Sequence, residues 1–127
     1  MRSLDTNIIL RFLLRDIPHQ AAKAATELTS YRCYVTDVVI TETVFVLEKV
    51  YEAPRKEIAV AINSFLAFPN LLCNADLLAE MIDLYQQHRS LSIIDCYAAV
   101  EAGASGNQLI TFDTKLLKYG GTHVIEP

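Results

Sequence analysis

The sequence predicts a three-layer α/β fold, in which a central parallel sheet of about five short strands carries helices on both faces. Short apolar runs alternate along the chain with longer stretches whose apolar residues recur at the helical period of 3.6. The connections between successive strands are long enough to hold helices, as parallel neighbours require. We expect right-handed crossovers, which place functional groups at the carboxyl edge of the strands.

The elements follow from local patterns, beginning with the strands and the first helix. Apolar residues and two arginines four apart indicate a helix over residues 7–15, which has Ile8, Ile9, Phe12 and Leu13 on one side. The predicted strands are the short apolar segments at residues 2–5, 32–35, 70–73, 108–112 and 123–126.

The later helices are predicted from the residues that start and stop them. Pro18 and Pro54 stand where first helical positions fall, because proline is tolerated in the first turn. Asn74 and Ser92 can cap the helices that follow them. The glycines at 106 and 120 are placed where helices end.

Size and composition indicate one domain over residues 1–127, with 52% hydrophobic and 20% charged residues. Cys33, Cys73 and Cys96 show neither metal-ligand nor disulfide spacing. We expect a cytoplasmic protein, since the sequence has neither a signal peptide nor a membrane span and so no membrane partner. The net charge of −4 argues against a protein that coats nucleic acid through bulk positive charge, although a local basic groove is compatible with it.

Four acidic residues fall where the predicted topology reaches the carboxyl edge of the sheet. Asp5 ends the first strand and Asp113 follows the fourth, while Glu42 and Asp95 lie early in helices that leave from that edge. We therefore expect the four carboxylates to converge. Like charges at close range destabilise a fold, so such a cluster makes sense mainly when a cation neutralises it. Oxygen ligands without His or Cys suit Mg²⁺ or Mn²⁺.

A carboxylate-held Mg²⁺ keeps open positions for phosphate oxygens and for a water whose pKa the metal lowers. This chemistry permits phosphodiester hydrolysis without a side-chain nucleophile. Arg11 and Arg15 are four residues apart, so their guanidinium groups are predicted to share a helix face and to contact neighbouring phosphates.

The ordered set of segments resembles the PIN-domain family, and in particular the VapC-like ribonuclease toxins of type II toxin–antitoxin systems. The resemblance implies a PIN-like fold and an Mg²⁺- or Mn²⁺-dependent endoribonuclease whose RNA products carry 5′-phosphate and 3′-hydroxyl ends. It also implies a homodimer and a cognate antitoxin protein whose tail occupies the active-site groove. The matching segments are LDTNIILRFLLRD at 4–16, VTDVVITETVFVLEKVYEAPRKEI at 35–58, SIIDCYAAVEAGASG at 92–106 and LITFDTKLLK at 109–118.

The resemblance also implies roles for individual residues, and RNA as the substrate rests on it alone. Two departures from the family pattern are mild, because neither touches a ligand. Arg2 makes the first strand less apolar than usual, and Cys96 replaces the small residue often found after the third acid. The catalytic and metal-binding quartet is Asp5, Glu42, Asp95 and Asp113, the supporting polar residues are Thr6, Asn7 and Thr111, and the phosphate contacts are Arg11 and Arg15.

Several alternatives stay open at this point. Asp5, Asp95 and Asp113 can act only as helix caps or helix N-terminal charges, and Glu42 can be merely solvated. A phosphatase or dehalogenase with Asp5 as covalent nucleophile would want a second Asp at position 7, which is Asn. A PIN nuclease of RNA processing without an antitoxin and a catalytically inactive PIN binding module are the remaining candidates.

Overall fold

The structure, a computed structural model, describes residues 1–127 and confirms the α/β class. No helix combines the length and the apolar character that a membrane crossing demands. In chain order the elements are β1 (Arg2–Ser3), α1 (Thr6–Leu14), α2 (Pro18–Ser30), β2 (Cys33–Tyr34), α3 (Asp37–Lys49), α4 (Arg55–Leu66), β3 (Leu71–Leu72), α5 (Ala75–Gln87), α6 (Ile93–Ala104), β4 (Leu109–Ile110), α7 (Thr114–Tyr119) and β5 (Val124–Ile125).

All strand pairs are parallel, as predicted, and hydrogen bonds join the strands into two sheets. One sheet has the order β1-β2-β3, and the other pairs β4 with β5. The strands are two residues long, shorter than the predicted segments. β1 and β2 end early because Asp5 and Thr36 already cap the helices that follow them. A single central sheet of five strands stays a prediction.

The chain forms two compact units, Met1–Ala75 and Asp76–Pro127. Each sheet belongs to one unit, with β1-β2-β3 in the first and β4-β5 in the second. The division into two units does not test the prediction of a single domain over residues 1–127, which stays a prediction.

In the first unit, α1 packs against α2 and α3, and α3 packs against α4. Ile9, Leu28 and Ile40 are fully buried among these helices. A cluster of three phenylalanines joins α1 to the end of α4, since the Phe12 ring lies 6.1 Å from Phe65 and 5.3 Å from Phe68 between centroids.

Helix α1 ends one residue earlier than predicted, at Leu14. Arg15 follows in the left-handed conformation with φ 53° and donates its backbone N–H to the carbonyl of Arg11. A left-handed residue at this position is a common helix stop. Arg15 is thus the C-cap of α1, and the expectation that its guanidinium shares a face with that of Arg11 stays a prediction.

The helix starts predicted from Pro18, Pro54, Asn74 and Ser92 hold to within one residue. Pro18 is the first residue of α2, whereas Pro54 lies just before α4 and not in its first turn. Helix α5 begins at Ala75, directly after Asn74, and Ser92 caps α6.

The C-terminus of α6 is closed by a glycine in the left-handed region. Gly106 has φ 72° and donates its N–H to the carbonyl of Gly103, and the next N–H, of Asn107, reaches the carbonyl of Ala102. These two bonds form a Schellman motif, which satisfies carbonyls that a helix end leaves unpaired. The glycine predicted to stop this helix thus does so with the expected geometry.

Helix α7 ends at Tyr119, before Gly120. A Cβ at Gly120 would lie 2.7 Å from the carbonyl oxygen of Leu116 and 2.8 Å from Val124. Glycine is needed here for a close approach and not for a positive φ, because its φ is −77°.

Candidate functional site

The four predicted acids divide equally between the two units. Asp5 and Glu42 belong to the first unit, and Asp95 and Asp113 belong to the second. Neither unit by itself holds three or more His, Cys, Asp or Glu side chains placed to bind a metal ion. The convergence of the four carboxylates stays a prediction.

Asp5 connects β1 to α1 and caps the helix. The N–H of Leu4 bonds to the carbonyl of Tyr34 and so holds the strand end, after which Asp5 adopts an extended backbone. Its Oδ1 accepts the N–H of Thr6 at 2.7 Å. The side chain is exposed and Oδ2 accepts no hydrogen bond, which leaves one carboxylate oxygen for a ligand.

Thr6 carries a buried hydroxyl without a hydrogen-bond partner. The residue is only 4% exposed, and its Oγ1 has no partner within bonding distance. As the first residue of α1 it has no helical carbonyl one turn before it, whereas Thr43 in mid-helix donates to the carbonyl of Val39 at 2.7 Å. An unsatisfied buried hydroxyl costs about 1–3 kcal/mol. Its position beside Asp5 fits a group that is satisfied when a ligand binds.

Glu42 lies on the exposed side of α3, whose first turn is capped by Thr36 through the N–H of Val39. Ile40 and Val44 are buried on the opposite side of the same helix. The carboxylate therefore pays no burial cost and accepts no hydrogen bond, which leaves both of its oxygens available.

Asp95 is held by a capping box at the start of α6. Its Oδ2 accepts the N–H of Ser92 at 3.2 Å, while the hydroxyl of Ser92 accepts the N–H of Asp95 at 3.0 Å. Two N–H groups that would otherwise lack partners are satisfied reciprocally. The side chain is half-buried and its orientation is fixed by the helix backbone.

Asp113 caps α7 through a single carboxylate oxygen. Oδ1 accepts the N–H groups of Lys115 at 2.8 Å and Leu116 at 3.0 Å. The N–H of Asp113 itself donates to the hydroxyl of Thr111 at 3.0 Å, so Thr111 positions the backbone of this acid. The alternative that Asp113 caps a helix is confirmed as a local role.

These contacts allow the donor set to be tested against a divalent cation. Three of the acids, Asp5, Asp95 and Asp113, are oriented by backbone N–H groups at helix N-termini, where the helix dipole favours a negative charge. The donors are all oxygen, as Mg²⁺ and Mn²⁺ prefer. The residues therefore fit such an ion chemically.

The two predicted phosphate contacts differ in their surroundings. Arg11 directs Nη1 to both oxygens of Asp16, at 2.8 and 2.9 Å, and Nη2 to the hydroxyl of Tyr51 at 3.2 Å. The hydrogen bond to Tyr51, together with the charge of Asp16, raises the pKa of Arg11. Arg15 is exposed and lies beyond the helix.

The sequence did not reveal the pairing of Arg11 with Asp16. The five-residue separation between Arg11 and Asp16 is not a pairing distance on a helix. It becomes one only because the chain turns at Arg15.

Sequence reasoning also missed a cleft between α1 and α2, with a volume of about 600 Å³. Asn7 and Arg11 line it from α1, and Gln20 and Lys23 line it from α2. The pairing of these two helices brings the four residues together, so no local sequence pattern reveals the cleft.

Comparison with known proteins gives one match. The family model described as PIN domain matches residues 3–121, a segment that contains all four acids. No curated protein and no solved structure matches the chain.

Proposed function

Because the chain belongs to the PIN-domain family, whose members are generally nucleases, we propose that it is an Mg²⁺- or Mn²⁺-dependent endoribonuclease. The observation that carries the proposal is the capping geometry, which orients Asp5, Asp95 and Asp113 at helix N-termini inside the matched segment. RNA as the substrate is supported by the resemblance to VapC-like toxins, which extends over four ordered segments.

The proposed ligands of the cation are Asp5, Glu42, Asp95 and Asp113. When bound, such an ion lowers the pKa of a coordinated water and neutralises charge on the phosphate. The chain orients the ligands: the N–H of Thr6 holds Asp5, Ser92 holds Asp95, and Thr111 positions Asp113. The free hydroxyl of Thr6 is a further polar group beside Asp5, and Asn7 offers an exposed amide on the same helical turn.

The test replaces single acids by the matching amide. Asp5→Asn and Asp95→Asn should fold normally, because Asn caps a helix about as well as Asp. RNA cleavage should fall by at least about 100-fold, since even residues that only support metal ligands cost 10- to 100-fold. Cleavage is followed on labelled RNA, and its products are checked for 5′-phosphate ends.

Asp76→Asn is the control for these variants, because Asp76 is also an exposed acid in the first turn of a helix. It should cleave RNA like the parent protein. Undiminished cleavage by both Asp5→Asn and Asp95→Asn would overturn the assignment.

Removal of metal provides an independent test. EDTA should abolish cleavage, and Mg²⁺ or Mn²⁺ should restore it. In the absence of RNA, Mn²⁺ should raise the Tm of the parent protein and shift that of Asp5→Asn less, because a ligand that binds the folded state stabilises it. Cleavage that is insensitive to chelation would contradict a metal-dependent mechanism.

We further infer that the nuclease is the toxin of a VapBC-type pair, acting in the cytoplasm as a homodimer that a cognate antitoxin protein inhibits. The resemblance over the whole chain supports this role. Val38 and Phe45, exposed apolar residues one helical turn on either side of Glu42 in α3, are compatible with a protein partner. Light scattering at micromolar concentration tests the dimer.

A small DNA-binding protein encoded immediately upstream, which copurifies with the chain and blocks cleavage, would support the toxin. A nuclease that cleaves RNA but has no such partner would instead act in RNA processing. A chain that binds neither Mn²⁺ nor an inhibitor would be an inactive PIN binding module.

A further inference from the structure

The cleft between α1 and α2 has the size and the lining of a ligand site. Its volume of about 600 Å³ lies within the usual range for such sites. Ile8 contributes an apolar wall, and Asn7, Arg11, Gln20, Lys23 and Glu27 contribute polar groups. The cleft lies wholly within the first unit.

The charges along the cleft favour an anion. Its carboxylate, Glu27, is neutralised by Arg2, whose Nη1 lies 2.6 and 2.8 Å from the two carboxylate oxygens. The guanidinium of Arg11 is shared with Asp16. Lys23 is exposed and forms no ion pair, so the uncompensated charge at this cleft is positive. A locally positive cleft attracts an anionic partner even on a protein of net charge −4.

Two free amides add the capacity to read hydrogen-bonding groups. Asn7 and Gln20 are both exposed, and neither side chain forms a hydrogen bond. Each amide offers two donors and one acceptor. Single-stranded RNA carries backbone phosphates beside unpaired bases. Proteins recognise such bases through hydrogen bonds to their exposed edges.

One lining residue of the cleft is close in sequence to a proposed metal ligand. Asn7 follows Asp5 by two residues and lies in the first turn of α1. A strand whose scissile phosphate lay at Asp5 would therefore place a neighbouring nucleotide at the mouth of the cleft.

We propose that the α1–α2 cleft is a subsite for single-stranded RNA, in which Lys23 contacts a backbone phosphate and the amides of Asn7 and Gln20 form hydrogen bonds with base edges. The proposal rests on the proposed nuclease function and deepens it. Lys23 thereby contributes affinity, and Gln20 contributes preference among bases.

The experiment measures binding of fluorescent single-stranded hexanucleotides by anisotropy, in EDTA so that no metal-dependent cleavage occurs. Lys23→Glu should weaken binding at least about tenfold. Lys23→Met should make the dependence of log K on log salt shallower by about 0.7, the value for one phosphate contact on a single strand. Gln20→Leu should narrow the differences in affinity among uridine, adenosine and cytidine hexamers.

Lys56→Glu is the matched control, since Lys56 is an exposed lysine of the same unit in α4, outside the cleft. It makes the same change in net charge and should bind RNA like the parent protein. Circular dichroism checks that each variant folds.

Unchanged affinity and salt dependence in both Lys23 variants would overturn the subsite, whether or not the parent protein cleaves RNA. Loss of the dimer in Lys23→Glu with RNA binding intact would assign the cleft to a protein partner and also overturn it. Binding that depends on Lys23 in a protein that cleaves no RNA with any divalent metal would keep the subsite and reject the nuclease.

Discussion

At the scale of single residues, the same carboxylates serve the fold and the proposed chemistry. Asp5 and Asp95 each accept a backbone N–H with one oxygen, and Asp113 accepts two with a single oxygen. Capping fixes the position of a carboxylate and leaves its other oxygen free. Helix capping alone therefore does not argue against metal binding at these positions.

The ion pair of Arg11 with Asp16 competes with the phosphate contact proposed for Arg11. Asp16→Asn should raise RNA affinity and steepen the salt dependence by about 0.7, because the guanidinium loses its anionic partner. The free energy of unfolding should change by less than about 1 kcal/mol, since the pair is close to the surface. Anisotropy titrations at several salt concentrations measure the effect, and weaker RNA binding by Asp16→Asn would contradict the proposed role of Arg11.

Cys33 should make the protein less stable in alkaline solution. Burial, and to a smaller degree the charge of Glu27, raise the pKa of its thiol above the usual value. The folded state thus holds this proton more tightly than the unfolded state. Its contribution to stability is complete below about pH 8.5 and is lost as the pH rises through the folded-state pKa.

Urea unfolding at pH 7 and pH 9.5 tests this expectation against Cys33→Ser, which does not titrate there. The parent protein should lose more free energy of unfolding between the two pH values than the variant, by up to about 1.4 kcal/mol, because pH 9.5 lies about one unit above the pKa of the unfolded thiol. Equal losses in the two proteins would show that Cys33 is not the group responsible.

At the scale of elements, each helix is bounded by residues that satisfy its terminal backbone groups. The capping box of Ser92 and Asp95 starts α6, and the Schellman motif at Gly106 ends it. These are interactions between residues close in sequence, so a local sequence pattern can indicate them.

Substitution of Gly106 measures how much one helix C-terminus contributes to the free energy of unfolding. A Cβ there would meet nothing within 4 Å, so the cost of Gly106→Ala arises only from its φ of 72°. We expect a loss of about 1 kcal/mol in the free energy of unfolding. Gly106→Asn should cost less, because Asn tolerates the left-handed region better. Equal stability of the parent protein and Gly106→Ala would contradict the role given to this glycine.

At the scale of the whole molecule, the net negative charge opposes RNA binding. The chain has 15 acidic and 11 basic residues, so its overall charge repels a polyanion. Binding must therefore rely on local features such as the cleft at Lys23.

The phenylalanine cluster should dominate stability. Phe65→Ala should lose about 3–5 kcal/mol, because the ring is 1% exposed and packs against Phe12 and Phe68. That loss is a large share of the 5–15 kcal/mol typical of a folded protein. Phe112→Ala is the control, since its ring is 83% exposed and should contribute about 0.5 kcal/mol or less. Similar losses in urea unfolding for the two variants would contradict this description of the core.

Sequence by itself determined the α/β class, the places of the strands and most helix boundaries. It also identified Asp5, Ser92 and Gly106 as residues at helix or strand ends, and the structure confirms those positions. These features depend on periodicity and on contacts within one or two turns, which a linear pattern records directly.

Only the tertiary structure decided the surroundings of those residues. Arg11 meets Tyr51 across 40 positions of sequence, the cleft at Lys23 needs α1 against α2, and the hydroxyl of Thr6 is buried by the residues that pack around it. The hydrogen bonds that join the strands into two sheets likewise connect segments that are distant in sequence. Each depends on which distant segments come into contact, and that is set by the packing of the entire core and by no local pattern.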